Sequence, residues 1–285
     1  MGMTTEPDVD LEGLSDVEAT IDFTNPKDFT RTLQALLYNA SSCDPTSDHT
    51  VLVTGFPKKY ISIDDDEQPL FPGSRKALYF EESESLIITM PGDPHEVAAM
   101  EFHNCLIKKI VEAGCFEEVI STGRARVSIG GVQKEPDASW GPFRALGSGP
   151  GYRTCVLEAA TSESGRGLSR DAKIWLEHEE SHVMQVIGVK VCRRRPEIIF
   201  KVWKRGRQQL DARASHPPRA VVDQEIIVSL ENGRPVAEGT LFLSFERILE
   251  RNPRPGTAEG DFKFSARELG GIARRVWSTM DFEID

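Results

Sequence analysis

Residues 155–176 read CVLEAATSESGRGLSRDAKIWL, and this stretch decides the fold class. Its first six residues are apolar except Glu158, a composition typical of a strand buried on both faces. From residue 168 onward apolar side chains recur at helical spacing, and a short Ser- and Gly-containing link joins the two halves. A buried strand that passes directly into a helix predicts an α/β unit.

The neighbouring sequence continues the same alternation. Residues 94–114 carry a helical apolar stripe that ends at Gly114, and further strands are predicted at residues 116–121, 125–129, 183–191 and 198–203. The order is therefore helix, strands, buried strand, helix and strands. This order predicts a mixed central sheet with helices on both faces.

Four segments are expected along the chain. Residues 1–20 are acidic and poor in apolar side chains, which predicts a disordered tail. An N-terminal α+β extension over residues 21–90 and a core over residues 91–205 follow. Residues 206–285 form a C-terminal extension, in which residues 225–230 and 239–245 predict a hairpin and residues 264–280 a helix packed on the core.

The composition indicates the compartment. The five cysteines have no C-x-x-C spacing, no run of eighteen apolar residues occurs, and residues 1–20 lack the basic and apolar regions of a signal peptide. We therefore expect an intracellular protein, cytoplasmic or nuclear, with reduced thiols and no membrane span.

Charge is distributed unevenly. The net charge is −11, but residues 1–100 hold 6 Lys and Arg against 19 Asp and Glu, a net of −13, which leaves +2 for the remainder. Residues 190–219 hold ten basic residues against two acidic ones. This stretch is a candidate surface for DNA. A solvated basic rim, or a partner for the acidic first third, explains it equally well.

Two carboxylates have the strongest chemical signal. Glu158 stands inside the apolar strand, where an uncompensated charge is unfavourable. Asp137 follows Pro136 about twenty residues upstream, at the start of another predicted strand. Two acidic side chains on neighbouring strands, followed by a helix, are the arrangement that a magnesium-dependent phosphodiesterase needs.

A lysine near this pair would stabilise negative charge on a phosphate. Side chains alternate along a strand, so residue 160 shares the face of Glu158, but this position is Ala160. On the following helix Lys173 lies off the apolar face without being opposite to it, so it is the candidate lysine. The alternative is an ordinary solvated lysine.

Glu96, at the start of the helix over residues 94–114, is a third candidate carboxylate. It would complete the shell of a magnesium ion, which otherwise keeps several waters. Its position near the helix N-terminus is explained equally well by a favourable interaction with the helix dipole.

Taken together, several motifs resemble a known family. They are Met90-Pro91 with His95-Glu96, then KEPDASW at residues 134–140, VLEAATSES at residues 156–164 and LSRDAKIWL at residues 168–176. This set resembles a large family of uncharacterised fungal proteins that is similar to a branch of the PD-(D/E)XK nuclease superfamily. The resemblance covers roughly residues 80–205 and implies a restriction-endonuclease-like core.

The resemblance also implies a site and an activity. The metal ligands would be Asp137, Glu158 and the backbone carbonyl of Ala159, with Mg²⁺ or Mn²⁺ as the cofactor. The function would be metal-dependent hydrolysis of DNA phosphodiester bonds, with Glu96 and Lys173 assisting. Ala160 departs from the superfamily, which usually has lysine there. The alternative is therefore a catalytically inactive nuclease fold that acts as a nucleic-acid-binding or protein-interaction module.

Overall fold

A computed structural model describes residues 17–61, 70, 76–143, 152–162, 165–206 and 218–285. Within these residues the strands form a six-stranded, a seven-stranded and a two-stranded sheet. Each of the two large sheets combines parallel and antiparallel neighbours and is flanked by helices. The mixed α/β architecture predicted from the order of the elements is confirmed.

The six-stranded sheet, here called the N-terminal sheet, contains most of the early strands. Its spatial order is β1 (Val17–Asp22), β2 (His49–Thr54), β4 (Ser85–Met90), β3 (Lys76–Phe80), β7 (Val132–Lys134) and β6 (Val127–Ile129). Helix α1 (Pro26–Cys43) covers one face of this sheet, and the preceding Asn25 caps it by accepting a hydrogen bond from the N–H of Asp28.

The seven-stranded sheet, here called the central sheet, contains the segment that decides the fold class. Its spatial order is β13 (Arg234–Ala237), β12 (Arg219–Glu231), β11 (Glu197–Gly206), β10 (Gln185–Val191), β9 (Cys155–Thr161), β8 (Ala138–Pro142) and β5 (Val119–Ser121). β9 and β10 are parallel, and α3 (Arg166–Glu177) connects them, as parallel strands require a crossover.

Helices cover both faces of the central sheet. Leu157 of β9 belongs to the apolar cluster that includes residues of α2 (Asp93–Glu112) and α5 (Ala266–Trp277), whereas Val156 belongs to the cluster that includes residues of α3. Glu158 shares the face of Val156 because side chains alternate along a strand. Ile174 of α3 packs against the N-terminal sheet, so α3 lies between the two large sheets.

The C-terminal extension pairs differently from the expectation. The hairpin predicted between residues 225–230 and 239–245 is wrong: β12 turns back into β13, and β14 (Thr240–Leu243) pairs with β15 (Phe262–Ser265), with α4 (Phe245–Leu249) between them in the chain. The cause is the Asn232-Gly233 turn. Both residues have positive φ, which closes a two-residue hairpin directly after β12.

The two large sheets share the middle of the chain. β6 and β7 fall within residues 91–205, yet they join the N-terminal sheet, where Leu78 of β3 pairs with Lys134 of β7. β1 begins at Val17, inside the segment predicted as a disordered tail, and residues 1–16 of that tail lie outside the described residues. In the described part of the chain, no helix has the length and apolar character needed to cross a membrane.

Candidate functional site

A cavity of about 340 Å³ lies between the N-terminal sheet, the start of α3 and the end of β9. Leu78 and Ile87 form part of its apolar wall, and residues 159–162 form the strand end. Its charged lining residues are Glu18, Asp48, Lys76, His95, Lys134, Arg170, Asp171 and Arg193. Charges of both signs therefore converge between the two sheets.

Backbone pairing brings Asp137 and Glu158 together beside this cavity. The N–H of Asp137 donates to the carbonyl of Leu157 (3.0 Å), and the N–H of Ala159 donates to Oδ2 of Asp137 (2.7 Å). These contacts fix Asp137 next to the strand that carries Glu158. The side chains of Asp137 and Glu158 are 3% and 0% exposed, so neither charge is screened by bulk water.

Lys76 bridges the two carboxylates. Its Nζ lies 2.8 Å from Oδ2 of Asp137 and also donates to Oε2 of Glu158. Because both oxygens lie within a hydrogen bond of one atom, they are less than about 6 Å apart. The pair therefore converges on a single cation position, which the Lys76 ammonium holds in this structure.

A second buried lysine approaches Glu158 from the same sheet. Nζ of Lys134 lies 3.2 Å from Oε1 of Glu158 and 3.1 Å from Oδ2 of Asp171 on α3. Nε1 of Trp175, one turn further along α3, donates to Oε1 of Glu158. Lys76 and Lys134 share one face of the N-terminal sheet, because Leu78 lies two residues from Lys76 and pairs with Lys134.

His95 and Asp48 complete the cluster. Nδ1 of His95 lies 2.9 Å from Oδ2 of Asp48, and its Nε2 lies 3.2 Å from Oδ1 of Asp137 in an ion-pair contact. Asp48 also accepts hydrogen bonds from the N–H groups of Gly92 (3.0 Å) and Thr161 (2.8 Å). Asp48 thus ties the loop before β2 to α2 and to the end of β9.

The environment favours the charged forms of these groups. Burial opposes the Lys76 ammonium, but Asp137 and Glu158 outweigh burial and hold the pKa of Lys76 above its ordinary value. In the same way, Asp48 and Asp137 raise the pKa of His95 to about 10 against the effect of burial. Burial would raise the pKa of Asp137, yet Lys76 and His95 hold it below its usual range.

The charges of the cluster compensate one another. Three cations, Lys76, Lys134 and a protonated His95, contact four carboxylates, and Arg170 lies 3.2 Å from one of these, Asp171. The other three carboxylates are those of Asp48, Asp137 and Glu158. Among the described residues, no group of three or more His, Cys, Asp or Glu side chains is arranged to hold a metal ion. Mg²⁺ is commonly bound through one or two protein carboxylates and keeps several waters.

A backbone group adds to this donor set. In an extended strand the N–H and C=O of one residue point to the same side, and the N–H of Ala159 points at Asp137. The carbonyl of Ala159 is therefore directed to the side of β9 on which Asp137 lies. Oxygen ligands of this kind fit Mg²⁺ or Mn²⁺ on the condition that the Lys76 ammonium leaves the shared position.

Other residues singled out from the sequence lie elsewhere. Glu96 is 48% exposed, pairs with Arg124 (3.1 Å) and does not line the cavity. Lys173 is exposed on α3 and does not line the cavity either. Of the basic stretch at residues 190–219, Arg193 reaches the cavity, Lys201 and Lys204 pair with Glu225 and Asp223, and residues 207–217 lie outside the described residues.

The two lysines, Asp48 and the role of His95 were not predicted from the sequence. Lys134 carried a signal, since it stands three residues before Asp137 in a quoted motif. Lys76 carried none, because it is 61 residues from Asp137 and 82 from Glu158 along the chain. His95 stands in one of the quoted motifs, but its position in the sequence does not indicate an ion pair with a carboxylate.

Comparisons with known proteins give a partial likeness to a solved structure. No protein-family model matches the chain, and no curated protein matches it. One solved structure with a partial likeness is described as a "putative nuclease belonging to DUF820 from Anabaena variabilis ATCC 29413". It is 13% identical, the match covers 69% of this chain and 90% of that chain, and the TM-score is 0.37.

Proposed function

We propose that the chain is a divalent-metal-dependent nuclease that hydrolyses phosphodiester bonds of DNA. The observation that carries this proposal is the convergence of Asp137 and Glu158 on one buried cation position beside a cavity. A restriction-endonuclease-like core of the PD-(D/E)XK type accounts for this pair on adjacent strands with a helix following.

Asp137, Glu158 and the carbonyl of Ala159 would hold Mg²⁺ or Mn²⁺. When bound, such an ion polarises a phosphoryl oxygen and lowers the pKa of a bound water. The protein contributes the fixed geometry of the pair. The Ala159 N–H orients Asp137 and Trp175 orients Glu158, so neither carboxylate has to reorganise on binding.

The lysine of the site is proposed to be Lys76. Its ammonium lies at the carboxylate pair and lines the cavity, so a small side-chain rotation directs it at a phosphate there. Lys173, the lysine proposed from the sequence, is exposed on α3 and does not line the cavity. A positioned donor of this kind contributes about 10²–10³-fold in rate.

The cavity suits a single strand better than a duplex. A volume of about 340 Å³ is at the lower end of small-ligand sites and holds a nucleotide-sized group. Arg170 and Arg193 line it and would supply positive charge for the phosphates of a bound strand. We therefore propose single-stranded DNA as the preferred substrate.

The test is a cleavage assay on single-stranded and plasmid DNA with Mg²⁺ or Mn²⁺. Asp137→Asn and Glu158→Gln are expected to lose cleavage by at least about 10²-fold, and Lys76→Gln by about 10²–10³-fold. Glu96→Gln and Lys173→Gln, which alter exposed side chains, serve as matched controls. Cleavage that survives both Asp137→Asn and Glu158→Gln would show that the nuclease activity resides elsewhere or comes from a contaminant.

The balanced charges of the cluster favour a second candidate, a catalytically inactive module that binds nucleic acid. Lysines already neutralise the carboxylates of this site, so a metal ion is not needed to compensate their charge. This candidate predicts metal-independent binding of single-stranded DNA, weakened by Arg193→Ala and by salt, with no cleavage in either metal. Fluorescence anisotropy with a labelled oligonucleotide in EDTA measures the binding, and the cleavage assay with Mg²⁺ or Mn²⁺ separates the two candidates.

A further inference from the structure

Lys76 occupies the position where the carboxylate pair would hold its metal. One Nζ atom contacts Asp137 and Glu158 together, whereas Lys134 and His95 each contact one member of the pair. Two cations cannot share a buried position between the same two oxygens. We infer that Lys76 is a built-in competitor of the divalent ion, so that the metal enters only when the Lys76 ammonium withdraws.

The release of Lys76 needs no movement of the sheets. β3 is held on both sides, by β4 and by β7, so its backbone is fixed while the Lys76 side chain lines an open cavity. Rotation into the cavity separates the ammonium from the carboxylate pair. The competition is therefore a side-chain event at the junction of the two sheets.

An anion in the cavity completes the switch. A phosphodiester there would attract the withdrawn ammonium and so compensate the contacts that Lys76 loses at Asp137 and Glu158. Metal and substrate are then coupled: each favours the state in which Lys76 has left the pair. Without substrate the site is held closed to metal by its own lysine. This regulation rests on the proposed function, because it concerns the same metal site.

The experiment is a titration of the full chain with Mn²⁺ alone, followed by calorimetry or by electron paramagnetic resonance of free Mn²⁺. Lys76→Met is expected to bind Mn²⁺ at least about tenfold more tightly than the wild type, within the usual range of coupling between sites. Lys173→Met, an exposed lysine on α3, is the matched control and is expected to leave the affinity unchanged. Equal affinity in wild type and Lys76→Met, or no binding by either, overturns the inference.

A second variant guards against loss of folding. Lys76→Gln keeps a hydrogen-bonding side chain but removes the charge, and its melting temperature is expected to rise with Mn²⁺ more than that of the wild type. If Mn²⁺ stabilises neither Lys76→Met nor Lys76→Gln, the inference fails.

Dimethyl phosphate, a soluble phosphodiester, is expected to raise the Mn²⁺ affinity of the wild type and not that of Lys76→Met. If dimethyl phosphate changes the Mn²⁺ affinity of the wild type and of Lys76→Met equally, Lys76 does not couple metal binding to phosphodiester binding.

These measurements do not depend on cleavage. Tighter Mn²⁺ binding by Lys76→Met in a chain that cuts no DNA refutes the proposed nuclease and leaves the competition intact. If the wild type cleaves DNA and Lys76→Met binds Mn²⁺ no more tightly than the wild type, the nuclease proposal stands and the competition is refuted. The two conclusions therefore fail separately.

Discussion

At the scale of single residues, the molecule is defined by charges taken out of water. Glu158 is fully buried in a strand, and it is tolerated because Lys76, Lys134 and Trp175 together satisfy its two oxygens. The sequence alone showed that Glu158 needs partners. It did not show which ones, because two of the three come from other segments of the chain.

Lys134 gives a residue-scale prediction. Its side chain is 1% exposed and lies between Glu158 and Asp171, so Lys134→Met leaves two buried carboxylates short of a cation. The free energy of unfolding should fall by about 3–5 kcal/mol, as measured by urea denaturation.

Lys173→Met, at an exposed position on the next helix, is the control and should change stability by less than about 0.5 kcal/mol. A loss below about 1 kcal/mol in Lys134→Met would show that the two carboxylates are compensated in another way.

At the scale of elements, local sequence signals account for most helices and strands. The helical stripes predicted α2, α3 and α5 to within a few residues, because one apolar face of each helix is buried against a sheet. The hairpin error after β12 has an equally local cause. Asn-Gly between two strands is the strongest short-range hairpin signal, and Asn232-Gly233 closes the hairpin here. The predicted pairing of residues 225–230 with 239–245 requires a longer connection.

Helix α5 supplies a prediction at this scale. Ser265 and Glu268 form a reciprocal capping box, and Glu268 also accepts from Lys109 of α2 (2.6 Å). Ser265→Ala should lower the free energy of unfolding by about 1 kcal/mol, because removal of the Ser265 hydroxyl leaves the N–H of Glu268 without its acceptor.

Ser278→Ala, at the exposed C-terminal end of the same helix, is the matched control in the same urea titration. If both substitutions destabilise the chain equally, the capping box has no special role in holding α5.

At the scale of the whole molecule, the two large sheets are interdependent. β7 and Asp137 belong to one segment of the chain, yet β7 lies in the N-terminal sheet and Asp137 contacts the central sheet. The buried cluster adds Lys76 and Asp48 from the N-terminal side. A domain boundary near residue 90 would therefore separate β3 from β7, with which it pairs, and Lys76 and Asp48 from the buried charges that they compensate.

The corresponding prediction concerns a fragment spanning residues 91–285. It loses β3, which pairs with β7, and it leaves Asp137 and Glu158 without Lys76. We expect no cooperative thermal transition by circular dichroism. A fragment spanning residues 17–285, which keeps every described contact, is the control and should melt as the full chain does. A cooperative melt of the shorter fragment would mark residues 91–285 as an independent unit.

The sequence by itself determined the mixed α/β architecture and pointed to Asp137 and Glu158, because periodicity and an acidic residue inside an apolar strand are local properties. The tertiary structure decided what surrounds that pair. Lys76 of the N-terminal sheet contacts both members of the pair, and Asp48, in the loop before β2, contacts His95, which in turn contacts Asp137. No pattern near residue 137 or 158 encodes either residue. Compensation of a buried charge needs proximity in space, and side chains far apart along the chain supply it as well as near ones. The proposed metal site therefore includes a lysine that only folding brings to the carboxylate pair.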